Sequence, residues 1–452
     1  MRLNPLPRIR ATRLAIAFGL AGLLSGLTAA TAQAQSLSEL YQAARGYDAA
    51  YLAARATFES AEFRVAQTEA LMRPSLAATA GASGSTTDTP TLNGYKNTLN
   101  GQAALNGRLP LFNRANSVSI EQSRRSLNSA RADLDGAEQD LIVRVSQAYF
   151  DVLAAQDALA TTRASKTFIT EQLNSAKRNF EVGTATITDT REAQARFDLA
   201  TAQELAAEND LRTKRLALDT LVGRSNVAPK PLVVPVQLPA PVPANPEEWV
   251  SAADQAHPTI RRARVGLDVA SLETDKARAA ELPTVEATAS VGASNSRGSL
   301  PELSRSVGTT TSGSVGVQLN WPLFTGGATQ NRIRETLKLE ERARNDLEAA
   351  RRGVAQATRA GYFGVQSLLA QVKALEAAES SSKLALEATQ LGYRVGVRVN
   401  LDVLNAQSLL ATTQRDLARA RYDVLVNSLR LRQAAGQLAA TDVDAVNRLL
   451  AP

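Results

Sequence analysis

The sequence contains an internal duplication, and this repeat constrains the fold more than any single element does. Residues 180–189 have the sequence Phe-Glu-Val-Gly-Thr-Ala-Thr-Ile-Thr-Asp, and residues 393–402, 213 positions later, have Tyr-Arg-Val-Gly-Val-Arg-Val-Asn-Leu-Asp. Both segments separate two long, polar, Ala-rich stretches with helical periodicity. The repeat is too long for a solenoid module. We therefore predict a duplicated chain with two helical hairpins, whose turns contain Gly183 and Gly396.

Other matched positions extend the repeat well beyond the turns. They are Leu109-Pro110-Leu111-Phe112 with Trp321-Pro322-Leu323-Phe324, Tyr149-Phe150 with Tyr362-Phe363, and Gly223 with Gly436. Each half is predicted to contain a helix, two short strands, a long helix, a turn and a helix. A segment with seven of the 17 prolines separates the halves and favours an extended spacer. The predicted division is residues 35–227 for the first repeat, 228–257 for the linker, 258–440 for the second repeat and 441–452 for a tail.

The residues of the two turns allow two interpretations. A Gly after Val supplies the positive φ that ends a helix, and Asp189 and Asp402 are suited to the first turn of the helix that follows. On the first interpretation these are ordinary capping residues. The recurrence raises a second interpretation, in which the two carboxylates line something.

Residues 1–34 have the pattern of a secretory signal peptide. Four arginines precede an apolar run that ends near Ala30, and Ala32-Gln33-Ala34 supplies the small residues of a cleavage site. A membrane anchor is less well supported, because the run is short and interrupted by glycine. Removal of the four arginines lowers the formal charge from +7 to +3, so nucleic-acid binding has no support. No later apolar run could span a bilayer as a helix, so a membrane part would need strands.

Alternation of apolar with small or polar residues predicts two strands in each half. The apolar positions are Leu76, Ala78, Ala80 and Ala82; Leu99, Ala103, Leu105 and Leu109; Val285, Ala287, Ala289 and Val291; and Val315, Val317, Leu319 and Trp321. Polar loops are predicted at residues 81–94 and 292–313, as in outer-membrane barrels. Four strands cannot close a barrel, which needs about eight. Either the sheet stays open and soluble, or several chains share one barrel.

The helices give the strongest signal. Residues 114–180 contain no Pro, so they could form one helix of roughly 100 Å, which requires a coiled coil or a tunnel wall. Large apolar residues recur in it every seven positions beside a row of small residues, which permits knobs-into-holes packing. The large residues are Ile120, Leu127, Leu134 and Leu141. The last helix repeats the pattern with Val403, Leu410, Leu417, Val424, Leu431 and Leu438.

The composition offers little material for catalysis. The chain has no Cys and one His, so disulfides, metal clusters and His-based triads are not predicted. His257 precedes Pro258 and is predicted to be a capping or surface residue. We see no phosphate loop or paired-carboxylate signature. We therefore expect no enzyme, no cofactor and no metal site.

The duplicated order of elements, the Pro-Leu-Phe before each long helix and the two Val-Gly turns resemble the TolC family of outer-membrane channel-tunnels. The resemblance covers essentially the whole mature chain and is greatest in residues 393–436, which contain Val395-Gly396-Val397-Arg398, Asp402-Val403-Leu404 and Leu417-Ala418-Arg419-Ala420-Arg421-Tyr422. It implies a mainly α fold with a small transmembrane β part. Three chains, each with four strands, would form a twelve-stranded β-barrel continued by a long α-helical coiled-coil barrel through the periplasm.

By this resemblance the turns lie at the periplasmic tip of the tunnel. Asp402 matches the first of two family aspartates that ring a constriction, and Asn405 stands at the position of the second. Three facing carboxylates attract cations, so with Asn405 we expect a weaker filter than two aspartates give. The resemblance also implies two closed-state links, each of about 1 kcal/mol net or somewhat more: Tyr393 with Asp189, and Arg398 with Thr188.

The resemblance further implies that Phe112 and Phe324 form an aromatic ring at the inner boundary of the outer membrane; the alternative is ordinary core residues at a strand end. The implied function is an exit duct that passively conducts small molecules in efflux or unfolded proteins in type I secretion. The implied partners are two further copies of the chain, a periplasmic adaptor, an inner-membrane ABC or proton-driven pump, and outer-membrane lipid.

Two other classes of protein share part of the pattern. A periplasmic adaptor is also secreted, but it should have one hairpin beside a compact lipoyl-like domain, whereas this chain has two matched hairpins. A purely structural coiled coil explains the heptads but not the strands. The lack of a Cys after the predicted cleavage site excludes an acylated N-terminus and favours the TolC side over lipoprotein efflux factors.

Overall fold

The computed structural model describes residues 34–88, 94–184, 186–233, 235–298 and 308–451. The predicted signal peptide, apart from Ala34, lies outside the described residues, as do residues 89–93 and 299–307 of the two predicted polar loops. Among the helices of the described residues, none has the length and apolar character needed to cross a membrane.

The described residues form helices and strands in the predicted order. The helices are α1 (Leu37–Tyr47), α2 (Ala49–Glu69), α3 (Arg114–Glu181), α4 (Ile187–Val222), α5 (Pro246–Ala256), α6 (Pro258–Ala279), α7 (Ala328–Arg394), α8 (Asn400–Ala434) and α9 (Ala440–Asn447). The strands are β1 (Ser75–Thr87), β2 (Lys96–Phe112), β3 (Thr284–Gly298) and β4 (Gly308–Asn320).

The duplication is confirmed in three dimensions. The long helices α3 and α7 have 68 and 67 residues, and the helices that return from the turns, α4 and α8, have 36 and 35. Gly223 and Gly436 end the two returning helices with φ values of 68° and 69°. The predicted long helix from residue 114 to 180 agrees with α3 to within a residue.

The four strands form one antiparallel sheet in the order β1-β2-β3-β4. They have 13 to 17 residues, so the prediction of short strands was wrong. The prediction that polar loops begin at residues 81 and 292 was also wrong, because the Gly, Ser, Thr and Asn residues there continue the ladder, for example Ser83 opposite Asn100 and Asn295 opposite Thr309. Backbone groups form the ladder, so polar side chains do not end it.

The predicted alternation places the apolar residues on one face of the sheet and the polar residues on the other. Leu105 lies opposite Val291, and Ala289 lies opposite Val315, which is 88% exposed. On the other face, Ser290 and Ser314 share a hydrogen bond of 2.9 Å between their hydroxyl oxygens. The sheet therefore has an apolar face and a polar face, and none of the described residues covers the apolar one.

The largest core lies at the level where α1, α4, α8 and α9 pack against the middle of α3. Tyr149 is fully buried there, and its hydroxyl is within hydrogen-bonding distance of the carbonyl oxygens of Gln35 (3.2 Å) and Lys230 (3.0 Å). In the second half, the Tyr362 hydroxyl donates to the carbonyl oxygen of Ala244. Both repeats thus use a buried tyrosine to hold the Pro-rich linker against a long helix.

In each half, a single residue lies between two short helices. Asp48 lies between α1 and α2, where its Oδ1 accepts from the backbone N–H of Tyr51 (2.8 Å) and its carboxylate accepts from both Nη atoms of Arg144 (2.9 and 3.0 Å). His257 lies between α5 and α6, and its Nδ1 accepts from the backbone N–H of Thr259 (3.1 Å). The predicted capping role of His257 is therefore confirmed.

Candidate functional site

The two hairpin turns close in the same way. Gly183 and Gly396 have φ values of 77° and 79°. After them, the N–H of Thr184 donates to the carbonyl oxygen of Asn179 (2.8 Å), and the N–H of Val397 donates to that of Gly392 (2.9 Å). This is the hydrogen-bond pattern that satisfies the last carbonyls of a helix when a residue with positive φ follows it. The Val-Gly pairs therefore end α3 and α7 as predicted.

The first turn leads into a well-capped helix. The Thr186 hydroxyl accepts from the N–H of Asp189 (3.2 Å), and Asp189 Oδ2 accepts from the N–H of Thr186 (2.9 Å) and from its hydroxyl (2.8 Å). This reciprocal arrangement is a capping box. The other oxygen of Asp189, Oδ1, accepts no hydrogen bond from the described residues.

The second turn leads into a helix without a side-chain cap. Val399 is the N-cap residue of α8, and its side chain has no atom that could accept a hydrogen bond. Asn400 is buried, and its Oδ1 has no hydrogen-bond partner among the described residues. Asp402 lies in the first turn, where its Oδ2 is 3.6 Å from Nη1 of Arg398. The aspartate predicted to attract cations therefore has a cation beside it within its own chain.

The residues of the two predicted links lie at the tips of the hairpins but are not hydrogen-bonded to each other within one described protomer. The Tyr393 hydroxyl accepts a long contact of 3.5 Å from Nδ2 of Asn179. The Tyr393 ring packs against a small apolar cluster that includes Val403 of its own hairpin, and Phe168 of the other hairpin packs against the same cluster. Asp189 is engaged by Thr186 and Arg398 by Asp402, as described above. The links between Tyr393 and Asp189 and between Arg398 and Thr188 stay predictions.

Sequence analysis missed a contact between the two returning helices, α4 and α8. Nη2 of Arg196 on α4 donates to Oδ1 of Asn405 on α8 at 3.0 Å. The two residues are 209 positions apart, and neither belongs to a local pattern such as a cap or a heptad. No signal in the sequence pairs them, so only the packing of α4 beside α8 reveals the contact.

A polar cleft of about 380 Å³ lies farther from the tip, between α3, α4 and α8. Nζ of Lys214 is 3.1 Å from Oδ2 of Asp151, and burial raises the pKa of Asp423 above its ordinary range. The buried Tyr422 hydroxyl donates to Oδ2 of Asp157 at 2.6 Å. Among the described residues, no group of three or more His, Cys, Asp or Glu is placed to hold a metal ion. Most of the charged side chains that line the cleft thus pair with one another.

The two predicted interface aromatics lie where strands pass into long helices. Phe112 ends β2 and is 46% exposed, and Phe324 precedes α7 and is 89% exposed. Nearby, Nε1 of Trp321 donates to the carbonyl oxygen of Glu281 (3.1 Å). Neither phenylalanine lies in the core of the protomer, which argues against the core alternative. Their position at a membrane boundary stays a prediction.

The comparisons with known proteins decide the family. Residues 40–224 and 249–437 match the sequence pattern of the family described as outer membrane efflux protein. The chain belongs to this family. It is 32% identical over 428 residues to outer membrane protein TolC of Vibrio cholerae, which covers 93% of this chain and 95% of that protein. It is 28% identical over 440 residues to the proteases secretion protein PrtF of Dickeya chrysanthemi, and this match covers 92% of this chain and 91% of that protein.

Two solved structures of other proteins have the same fold. The outer membrane protein VceC from Vibrio cholerae has a TM-score of 0.73 at 21% identity, with 88% of this chain and 96% of that chain covered. CusC has a TM-score of 0.75 at 20% identity, and the match covers 89% of this chain and 92% of the CusC chain. The family is one of passive outer-membrane channels. The chain is therefore an outer-membrane exit duct of the kind used in efflux or type I secretion, and it extends from the outer membrane into the periplasm.

Proposed function

We propose that three copies of the chain form one duct with a twelve-stranded barrel. The observation that carries this proposal is the strand order, which leaves β1 and β4 as unpaired edges of 13 residues each. Exposed strand edges of this length tend to form backbone hydrogen bonds with a strand of another chain. Because adjacent strands in this sheet run in opposite directions, β4 of one chain is antiparallel to β1 of the next when three sheets join in a ring. Three sheets of four strands exceed the minimum of about eight that a barrel needs.

The two faces of the sheet fit this arrangement. Lipid requires an apolar outer surface, and a water-filled bore accepts a polar inner one. The exposed Val315 and Val317 belong to the apolar face, whereas the ion pair between Arg108 and Glu286 (2.6 Å) belongs to the polar face. Phe112 and Phe324 then lie at the boundary between barrel and helices, where aromatic belts occur.

The helices supply the wall of the periplasmic tunnel. Exposed leucines on α4 and α7, including Leu199 and Leu384, are left without cover in the single chain. Neighbouring protomers would bury them in the trimer and so stabilise it. The proposal retains the division into repeats at residues 35–227 and 258–440, joined by the linker at 228–257 and followed by a tail at 441–452.

We propose that the duct conducts passively, without a catalytic step, when it docks to a periplasmic adaptor and an inner-membrane ABC or proton-driven pump. Both cargo classes, small molecules and unfolded proteins, belong to the proposal because the relatives include both TolC and a protease secretion protein. Docking would shift the tip from a closed to an open state. The closed state is held by weak polar links that a partner protein can break.

The free groups at the tip support the proposed links. Asp189 keeps Oδ1 available beyond its cap, and the Tyr393 hydroxyl accepts its long contact from Asn179 and so keeps its own hydrogen for donation. A link from Tyr393 to Asp189 therefore costs neither residue an existing hydrogen bond. The ring of Asp402 carboxylates, with Asn405 one turn further along α8, forms the proposed constriction.

Conductance through a planar bilayer tests this function. The purified mature protein should run as a trimer that dissociates on heating, and it should form pores of low conductance. The double variant Tyr393→Phe/Arg398→Ser should raise single-channel conductance, whereas the matched control Tyr393→Phe/Arg394→Ser, which changes a neighbouring exposed arginine, should raise it less. A monomer that is soluble without detergent and forms no pores would contradict the proposed duct. Pores whose conductance is unchanged in the first variant would contradict only the proposed links.

A further inference from the structure

The hydrogen bond between Arg196 and Asn405 has a position that sets it apart. It is the one hydrogen bond between α4 and α8 among the described residues, with Nη2 of Arg196 3.0 Å from Oδ1 of Asn405. Arg196 lies about 14 Å along α4 from its start, and Asn405 lies about 8 Å along α8 from its start. The bond therefore ties the returning helix of one hairpin to that of the other, one to three turns away from the tip.

We propose that Arg196 determines both the resistance of the gate to opening and its ion preference. This inference rests on the proposed function, since it assigns a new residue to the same constriction. Two separate features of the contact carry it: the bond joins two elements that must part when the hairpins separate, and the donor carries a fixed positive charge.

The first feature concerns opening. α8 begins without a side-chain cap, and Asn400 in its first turn keeps a buried oxygen without a partner. The start of α8 therefore lacks the side-chain cap that supports the start of α4. A hydrogen bond with a charged donor is stronger than a neutral one, so the Arg196 contact holds this helix to α4 in the closed state. Its loss should favour the open state by about tenfold per protomer.

The second feature concerns charge. Asn405 follows Asp402 by three residues, so the two side chains lie on the same face of α8. The Arg196 guanidinium bound to Asn405 is thus about one turn from the Asp402 carboxylate, which already has Arg398 at 3.6 Å. Each protomer therefore brings two cations to one carboxylate. This offsets the cation preference that a ring of aspartates alone would give.

Four variants test the gating role in planar bilayers. Arg196→Met, which has no donor, and Asn405→Ala should each raise single-channel conductance or open probability by a similar factor, and the double variant should raise it no further, because one bond is lost in each case. Arg191→Met is the matched control, since Arg191 is an exposed arginine on the same helix. Unchanged conductance in either single variant, or additive effects in the double variant, would overturn the proposal.

Reversal potentials in a salt gradient test the charge role with Arg196→Gln, Arg196→Lys and Asn405→Ala. Arg196→Gln should shift the reversal potential towards cation preference, whereas Asn405→Ala and Arg196→Lys, which keep the charge, should shift it less. An Arg196→Gln reversal potential equal to that of the native protein would overturn the proposal. If the native protein forms no pores at all, the proposed function fails instead, so the two failures are distinguishable.

Crosslinking tests the contact without relying on conductance. The chain has no cysteine, so Arg196→Cys/Asn405→Cys introduces the only two thiols. A short bis-maleimide should join them within one chain, as shown by peptide mass spectrometry, and should keep the conductance at its closed level. The pair Arg191→Cys/Asn405→Cys serves as the control. Trimeric, pore-forming protein in which the first pair crosslinks no better than the control would contradict the contact.

Discussion

The two halves of the molecule keep the same elements but differ in how firmly corresponding residues are held. Both copies of the Tyr-Phe pair place the tyrosine in the core, where its hydroxyl bonds to a carbonyl oxygen of the linker, that of Lys230 or of Ala244. Their phenylalanines differ: Phe150 is 1% exposed and stacks on Tyr422, whereas Phe363 is 55% exposed. The two halves therefore share the residue that bonds to the backbone, whereas the packing of its neighbour differs between them.

The junctions and turns differ in the same direction. In the first half, Asp48 caps α2 and pairs with Arg144, and Thr186 caps α4 in a reciprocal box. At the matched places of the second half, His257 caps α6 without an ion pair, and Val399 gives α8 no side-chain cap. The first half is therefore the more firmly anchored one, and the start of α8 is the least supported of the corresponding positions.

The largest expected difference concerns the phenylalanines. Phe150→Ala should destabilise the protein by about 3–5 kcal/mol, because it leaves a cavity in the main core, whereas Phe363→Ala should cost well under that. The unfolding temperature in detergent, followed by circular dichroism, measures both. Equal losses would mean that a neighbouring protomer buries Phe363, and the comparison within one chain would then be incomplete.

The next difference concerns Asp48. Asp48→Asn keeps a capping oxygen but loses the charge that Arg144 binds, so it should cost about 2–3 kcal/mol at neutral pH. The Arg144 guanidinium holds the pKa of Asp48 below its ordinary value of 3.8. The stabilisation is therefore complete above that value and is lost as the pH falls through the lower folded-state pKa. Unfolding temperatures of the native protein and the variant should converge in that acidic range and differ above it.

Exchanging the caps of the turns should have a smaller effect. Thr186→Ala should destabilise α4 by about 1 kcal/mol, and Val399→Thr should stabilise α8 by up to a similar amount. Hydrogen exchange of the backbone amides at the two helix starts reports these local changes. Faster exchange at α4 in the first variant and slower exchange at α8 in the second are expected. No change at α8 would show that its start is already held by contacts other than a cap.

The smallest expected effect is the pH dependence of the second junction. Burial holds the pKa of His257 below its ordinary value of 6.5, so the unfolded chain takes up a proton more readily than the folded one. The stability contribution is complete above about pH 6.5 and falls as the pH drops from there towards the folded-state pKa. His257→Asn keeps a capping acceptor that does not titrate. Its unfolding temperature should fall less than that of the native protein on acidification through this range; parallel curves would exclude the histidine as the cause.

Periodic patterns predicted the helices and the sheet faces well. Every member of the heptad row from Val403 to Leu438 in and after α8 is buried, because a row on one side of a helix meets one neighbour along its length. Strand ends were predicted poorly, since the polar residues near Gly292 remain in the ladder through their backbone groups. The contact of Arg196 with Asn405 was missed because it depends on which helix lies beside which, and that is a property of tertiary packing.

The pairing of β2 with β3 has a consequence for the biogenesis of the protein. These strands form the central ladder of the sheet, yet 171 residues separate the end of β2 from the start of β3. Export must therefore deliver both hairpin helices of the first half before the central ladder can begin to form. Until then, the newly exported β1-β2 pair has an unpaired strand edge that can pair with other chains. The first half of the chain must therefore be protected from such pairing until the second half has been exported.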